Sequence, residues 1–144
     1  MIIWSHIILH HSLTPDGQTV SWNAIRRFHM TDPAFMFVDI GYHFGIELIT
    51  DYYEVLVGRD LDKVGAHCKE QGMNSKGIGI CAVGNYDVIV PPSLLWARAL
   101  RLASSLQTEF GIPTSRVIGH RETGAPKSCP GNLWDMGEFR KQLA

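Results

Sequence analysis

Residues 2–9, IIWSHIIL, form an almost continuous apolar run that ends at His10 and His11. An unbroken run of that length predicts a strand buried on both faces rather than one with a wet side. SLTPDGQ, 12–18, carries turn chemistry, and Ser21 is placed to cap a short helix over WNAIRRFHM, 22–30, which must stop by Asp32 because Pro33 disfavours helical geometry just before itself. YHFGIELIT, 42–50, and YYEVLVG, 52–58, read as two strands of a hairpin about Asp51, without the usual Asp-Gly turn. GIGICAV, 77–83, reads as a central strand whose glycines admit close backbone approach.

The clearest helix is LLWARALRLASSLQTEF, 94–110, opened by Pro92 and Ser93 and closed by Gly111. Leu95, Ala99, Leu102, Ala103, Leu106 and Phe110 make one apolar stripe, and Arg98, Arg101, Gln107 and Thr108 lie off it. That stripe is core. SRVIGH, 115–120, is a short strand that delivers His120 into the loop HRETGAPKSCPG, and WDMGEFRKQL, 134–143, is a last short helix. Helices between and after strands predict an α/β fold, a single three-layer domain over residues 1–144 with a central mixed sheet flanked by helices.

Composition narrows the function classes. The chain has 144 residues, 45% of them hydrophobic, with 13 basic against 14 acidic side chains and a formal charge of −1. No block of one sign offers a footprint for nucleic acid. No apolar run is long enough to span a bilayer, and the N-terminus lacks the basic region and cleavage site of a signal peptide. The expectation is a monomer made in the cytoplasm, with no nucleic-acid partner and no membrane insertion. Cys68, Cys81 and Cys129 are an odd, scattered set. Cys68 and Cys81 read as small buried fillers or as a disulfide pair.

Alternation along a strand sends His10 and His11 to opposite faces, so only one of them can enter a given site. Joined with His120 and Cys129, that histidine would complete two imidazoles and a thiolate, donors that suit zinc and leave a fourth position open, as catalytic sites do. Other readings use the same atoms. Cys129 could be a nucleophile with His120 as its base and Glu122 as orienter. Two histidines and Cys129 with an axial Met136 would make a copper electron-transfer site, against which the α/β layout argues. The residues could also be separate packed side chains. Spacing alone leaves these open. Glu47 and Glu122 are candidates to accept a hydrogen bond from a ligand histidine.

Five segments in order, ILHHSLT (8–14), GYHF (41–44), GRDLDKVGAH (58–67), NSKGIGI (74–80) and HRETGAPKSCPG (120–131), resemble the zinc-dependent N-acetylmuramoyl-L-alanine amidases of type 2, which include phage endolysins and peptidoglycan recognition proteins. The phage endolysin type is the nearest. The resemblance implies that family's fold, one Zn2+ per chain held by His10, His120 and Cys129, and catalytic roles for Tyr42 and Lys127. It also implies substrate contacts at His67 and Asn74. Gly77 stands where the family often has serine, and Asn132 follows C-P-G where an acidic residue is common; Asn132 reads as a helix cap. His43 and His11 are expected to support and pack.

The activity implied by this resemblance is hydrolysis of the amide between N-acetylmuramic acid and L-alanine in peptidoglycan, in cell-wall lysis of the endolysin kind. The substrate is peptidoglycan or a muropeptide, met at the wall after release or in the cytoplasm. Two alternatives share the scaffold: a cytosolic amidase that recycles muropeptides, and a non-catalytic peptidoglycan-binding or regulatory protein, including one that binds another protein.

Overall fold

The computed structural model describes residues 1–14 and 22–143. Their elements run β1 (His6–His11), α1 (Trp22–Thr31), β2 (Phe44–Ile49), β3 (Tyr52–Val57), β4 (Gly77–Ala82), α2 (Ser93–Phe110), β5 (Val117–Gly119) and α3 (Met136–Leu143), with short 3-10 turns at Glu70–Ser75, Thr114–Arg116 and His120–Thr123. The apolar run of 2–9 becomes strand only from His6, because pairing with β4 begins at His6 opposite Gly77. The expected turn at 12–18 and the Ser21 cap fall largely or wholly outside the described residues.

The five strands form one sheet in the order β3-β2-β4-β1-β5. Only β2 and β3 are antiparallel; β4 pairs in parallel with β2 and β1, and β1 with β5. The sheet is therefore mixed, as expected. The β2–β3 hairpin closes between Ile49 and Tyr52, and Thr50 takes the positive φ of 60° that its tight turn demands. That conformation is uncommon for a β-branched residue and explains how a turn forms without Asp-Gly.

Side chains alternate across the sheet and divide the core. On one face, Ile7, Leu9, Ile46, Ile78, Ile80 and Ala82 pack beneath α2 and α3, whose Leu95, Ala99, Ala103, Leu106 and Phe139 are buried. Leu102 and Phe110, the remaining members of the stripe read from the sequence, are only partly buried there. Gly111, in the left-handed region at φ 65°, ends α2 by returning its N–H to the Gln107 carbonyl. On the other face, Trp22 and Ile25 of α1 pack on Ile40, Cys81 and Val83, and Ile8 meets Cys68 and Met73. Three layers result.

Two readings are corrected in this frame. Glu47, read as a candidate acceptor for a ligand histidine, instead uses its Oε2 to accept the Trp22 N–H at 2.9 Å and so satisfies the first turn of α1. Asn132 does not cap a helix either: α3 is capped by Asp135, whose Oδ1 accepts the Glu138 N–H at 2.9 Å, while the Asn132 N–H is bound by Asp87 at 2.8 Å.

Candidate active site and metal centre

The carboxyl ends of the parallel strands β1, β4 and β5 open toward the α1 face, the end at which parallel sheets gather ligands. His10 sits there at the end of β1, in register with Cys81 of β4. His11, one residue on, faces away and accepts the Tyr86 N–H at 3.1 Å through Nδ1, so the packing role expected of it holds. His120 follows β5 directly, in a 3-10 turn held by Glu122, whose Oε2 accepts the Gly119 N–H at 2.8 Å. The same carboxylate pairs with the Arg140 guanidinium through both oxygens at 2.9 Å. Glu122 therefore ties the turn to α3 and orients no histidine.

Cys129 comes from the loop beyond. Its Sγ accepts the His11 N–H at 3.3 Å and lies 3.6 Å from His10 Nδ1, across 119 positions of sequence. Donor atoms of His10, His120 and Cys129 all lie within 4.8 Å of one another, and all three residues are buried. The loop is fixed by a residue whose role the sequence did not reveal: Arg121 donates to the carbonyls of Ser128 at 3.2 Å and Trp134 at 2.6 Å, and to that of Gly131. Its own N–H binds the Cys129 carbonyl at 2.8 Å. Asp87 adds a second anchor, accepting from the Ser128 hydroxyl at 2.8 Å.

Hydrogen-bond logic sets the tautomers. His67 Nε2 lies 3.0 Å from the Gly77 carbonyl, which can only accept, so Nε2 carries the proton. Burial, then the neighbouring His43, takes the His67 pKa down to about 3, so the ring is neutral and Nδ1 is bare. That Nδ1 accepts from His10 Nε2 at 2.8 Å. Burial likewise holds His10 neutral, which leaves its Nδ1 lone pair turned to Cys129. His120 Nε2 donates to Glu70 Oε2 at 3.1 Å, leaving Nδ1 as its free donor to a cation. Two bare imidazole nitrogens and a thiol thus converge, among the described residues, with no buried charge to balance a thiolate. Burial pushes the Cys129 thiol up to about 12.

These features bear on the rival chemistries. A nucleophilic cysteine needs a lowered pKa, whereas this one is raised, and Glu122, its proposed orienter, is engaged elsewhere. Met136 packs in the core beneath α2, on the opposite face from His10, so no axial sulfur completes a copper site. A divalent cation fits: it would supply the charge that a buried thiolate lacks.

Residues 3–132 match the family model described as N-acetylmuramoyl-L-alanine amidase. The chain belongs to the N-acetylmuramoyl-L-alanine amidase family. Its activity is hydrolysis of the amide between N-acetylmuramic acid and L-alanine in peptidoglycan. The endolysin of Klebsiella phage KP32 is 34% identical over 141 residues, which span 94% of this chain and 88% of the relative. The endolysin of Escherichia phage T7 is 33% identical over 143 residues, spanning 92% and 87%. In fold, the N-acetylmuramoyl-L-alanine amidase LysC from Clostridium intestinale matches with a TM-score of 0.79 at 21% identity, covering 99% of this chain and 86% of that one. Wild-type Drosophila PGRP-LB matches with a TM-score of 0.74 at 26% identity, covering 96% and 81%.

The remaining residues expected of an amidase lie around the cluster. The Tyr42 ring is centred 5.1 Å from that of His10 and 5.4 Å from that of His29. Burial, followed by the nearby Cys81 and Cys129 thiols, raises its phenol well above the usual range. A cavity of about 420 Å³ opens beside it, lined by Ser12, Thr14, Ala24, Ile25, Phe28 and His29. Lys127 is exposed, and its charge reaches His10, His120 and Cys129. Both ring nitrogens of His67 are committed, as is the Asn74 side-chain oxygen, which accepts the His67 and Cys68 N–H groups at 2.7 and 2.8 Å. His43 lies buried, accepting the Gly79 N–H at 3.0 Å through Nδ1, a supporting role as expected. Cys68, Cys81 and Cys129 are all free thiols. No helix among the described residues is long and apolar enough to cross a membrane.

Proposed function

We propose that this amidase is a zinc enzyme of the endolysin kind, with one ion per chain held by His10, His120 and Cys129. The observation that carries the reading is the convergence of those three buried donors within 4.8 Å, from segments far apart in sequence, on a chain with endolysin relatives. Zinc bound there supplies a Lewis acid and lowers the pKa of water to about 7. The family match covers residues 3–132, and α3 beyond it packs against α2 and β5, which supports reading residues 1–144 as one catalytic domain.

The chain's own residues account for the rest. Water adds to the carbonyl carbon of the lactyl amide, oxyanion charge develops, the C–N bond breaks and the alanine amine leaves with a proton. Lys127, exposed and near enough for its charge to act on His10, His120 and Cys129, stabilises the oxyanion, an interaction worth about 3 kcal/mol in a site that excludes water. Tyr42 keeps its proton, because burial disfavours the phenolate, and orients the amide from beside His10. His67 and Asn74 face the substrate with what their hydrogen bonds leave free, the ring edge of one and the amide nitrogen of the other.

The substrate is peptidoglycan at the cell wall, taken by a monomer. Retention of all three donors weighs against a binding-only protein on this scaffold. Amide release from Tyr42→Phe and Lys127→Ala, assayed with zinc content measured alongside, tests the assignment. Both should retain zinc and lose turnover, Lys127→Ala by about a hundredfold. Near wild-type turnover in both, with zinc bound, overturns it. Rates on intact sacculi against soluble anhydro-muropeptides separate wall lysis from recycling, and sacculi are expected to be cleaved.

A further inference from the structure

Glu70 lies outside the motifs that mark the metal centre, yet its Oε2 stands 3.1 Å from His120 Nε2. Its approach is built. The segment Cys68–Gly72 is fastened to the His120–Thr123 turn by contacts on both sides of Glu70: the Gln71 side-chain amide donates to the Thr123 carbonyl at 2.8 Å, and Cys68 Sγ meets Thr123 Oγ1 at 3.6 Å. The Thr123 hydroxyl in turn donates to the His120 carbonyl at 2.7 Å. Gln71 and Gly72 are both left-handed, at φ 53° and 69°. A glutamine in that region is held against a conformational cost, so the surrounding contacts over-determine it.

We infer that Glu70 is a positioning residue for the metal centre: its carboxylate holds the Nε2 proton of His120 and so fixes the ring with Nδ1 toward His10 and Cys129. The chemistry is that of a carboxylate behind a ligand imidazole, which selects the tautomer, restricts ring rotation and raises the basicity of the donor nitrogen. Glu70 is the anionic counterpart of neutral His67, which does the same for His10 by accepting its Nε2 proton. The inference rests on the reading of His10, His120 and Cys129 as zinc ligands.

The geometry admits a second use. Cys68, Glu70 and His120 also bring donor atoms within 4.8 Å of one another, the signature of a possible cation site. An ion there together with one held by His10, His120 and Cys129 would require His120 to give up the Nε2 proton whose hydrogen bond Glu70 now accepts.

Zinc affinity and stoichiometry of the full chain, measured by competition with a chromophoric chelator on wild type, Glu70→Ala and Glu70→Gln, decide the matter. Visible spectra of the cobalt-loaded proteins report ligand geometry independently of turnover. Expected are one zinc in each protein, an affinity about 10- to 100-fold weaker in Glu70→Ala with an altered cobalt spectrum, and recovery of most of that loss in Glu70→Gln, whose amide oxygen still accepts from Nε2. Wild-type affinity and spectrum in Glu70→Ala would overturn the inference and leave the zinc site standing. A second zinc in wild type that Glu70→Ala loses would also overturn it, since Glu70 would then be a ligand. Failure of wild type to bind zinc at all would overturn the ligand assignment instead.

Discussion

His10 Nε2 and His67 Nδ1 lie 2.8 Å apart, and that hydrogen bond determines which nitrogen His10 turns toward Cys129. The chain of donors runs from His10 through His67 to the Gly77 carbonyl, so the His10 ring on β1 is oriented by the backbone of its neighbour β4. Replacing His67 by Ala should free His10 to rotate or change tautomer. Zinc affinity is expected to fall about 10- to 100-fold, with far-UV circular dichroism unchanged. Chelator competition measures it.

Gly79 is where this arrangement touches the sheet. A Cβ there would lie 2.7 Å from Cγ and Cδ2 of His67, inside van der Waals contact with a ring held by hydrogen bonds at both nitrogens. Gly79→Ala should therefore displace His67, cost about 1–3 kcal/mol of stability, and weaken zinc binding as His67→Ala does. In the double variant the clash is gone, so the two losses in zinc affinity should not add. Full additivity would show that Gly79 acts on the site by another route.

Arg121 carries the Cys129 loop on its guanidinium. Truncation to Ala removes a charged donor from the carbonyls of Ser128, Gly131 and Trp134 at once. Urea unfolding should show a loss of about 2–3 kcal/mol. Lys should restore only part of it, because an ammonium lacks the planar fork that reaches several acceptors together.

The residues that were legible in the sequence are those whose signal is local. The 77–83 run and the 94–110 stripe follow from periodicity, and each element lies where its apolar pattern placed it to within a residue or so. His10 was separated from His11 by strand alternation, and resemblance of the surrounding motifs pointed to His120 and Cys129. What escaped were partners chosen by tertiary closure. Glu70 is one of 14 acidic residues, and two left-handed residues after it carry its loop onto the His120 turn. Nothing local distinguishes it from Glu47 or Glu122, the two carboxylates that the sequence favoured and that instead serve α1 and α3. Asn132 misled for a related reason. Residues 132–135 lead up to α3 without entering it, and Asp135 sits where the helix begins.

Amide cleavage by this chain depends, on the reading proposed, on a cation held by His10, His120 and Cys129. Release of L-alanine-linked peptide from peptidoglycan should be measured on enzyme stripped with EDTA and then given zinc in known amounts. Activity should vanish on stripping and return in full at one zinc per chain, and a Cys129→Ser variant should require far more zinc or fail to recover. Cleavage that survives EDTA but is abolished by iodoacetamide would contradict the zinc assignment and give the reaction to the thiol itself.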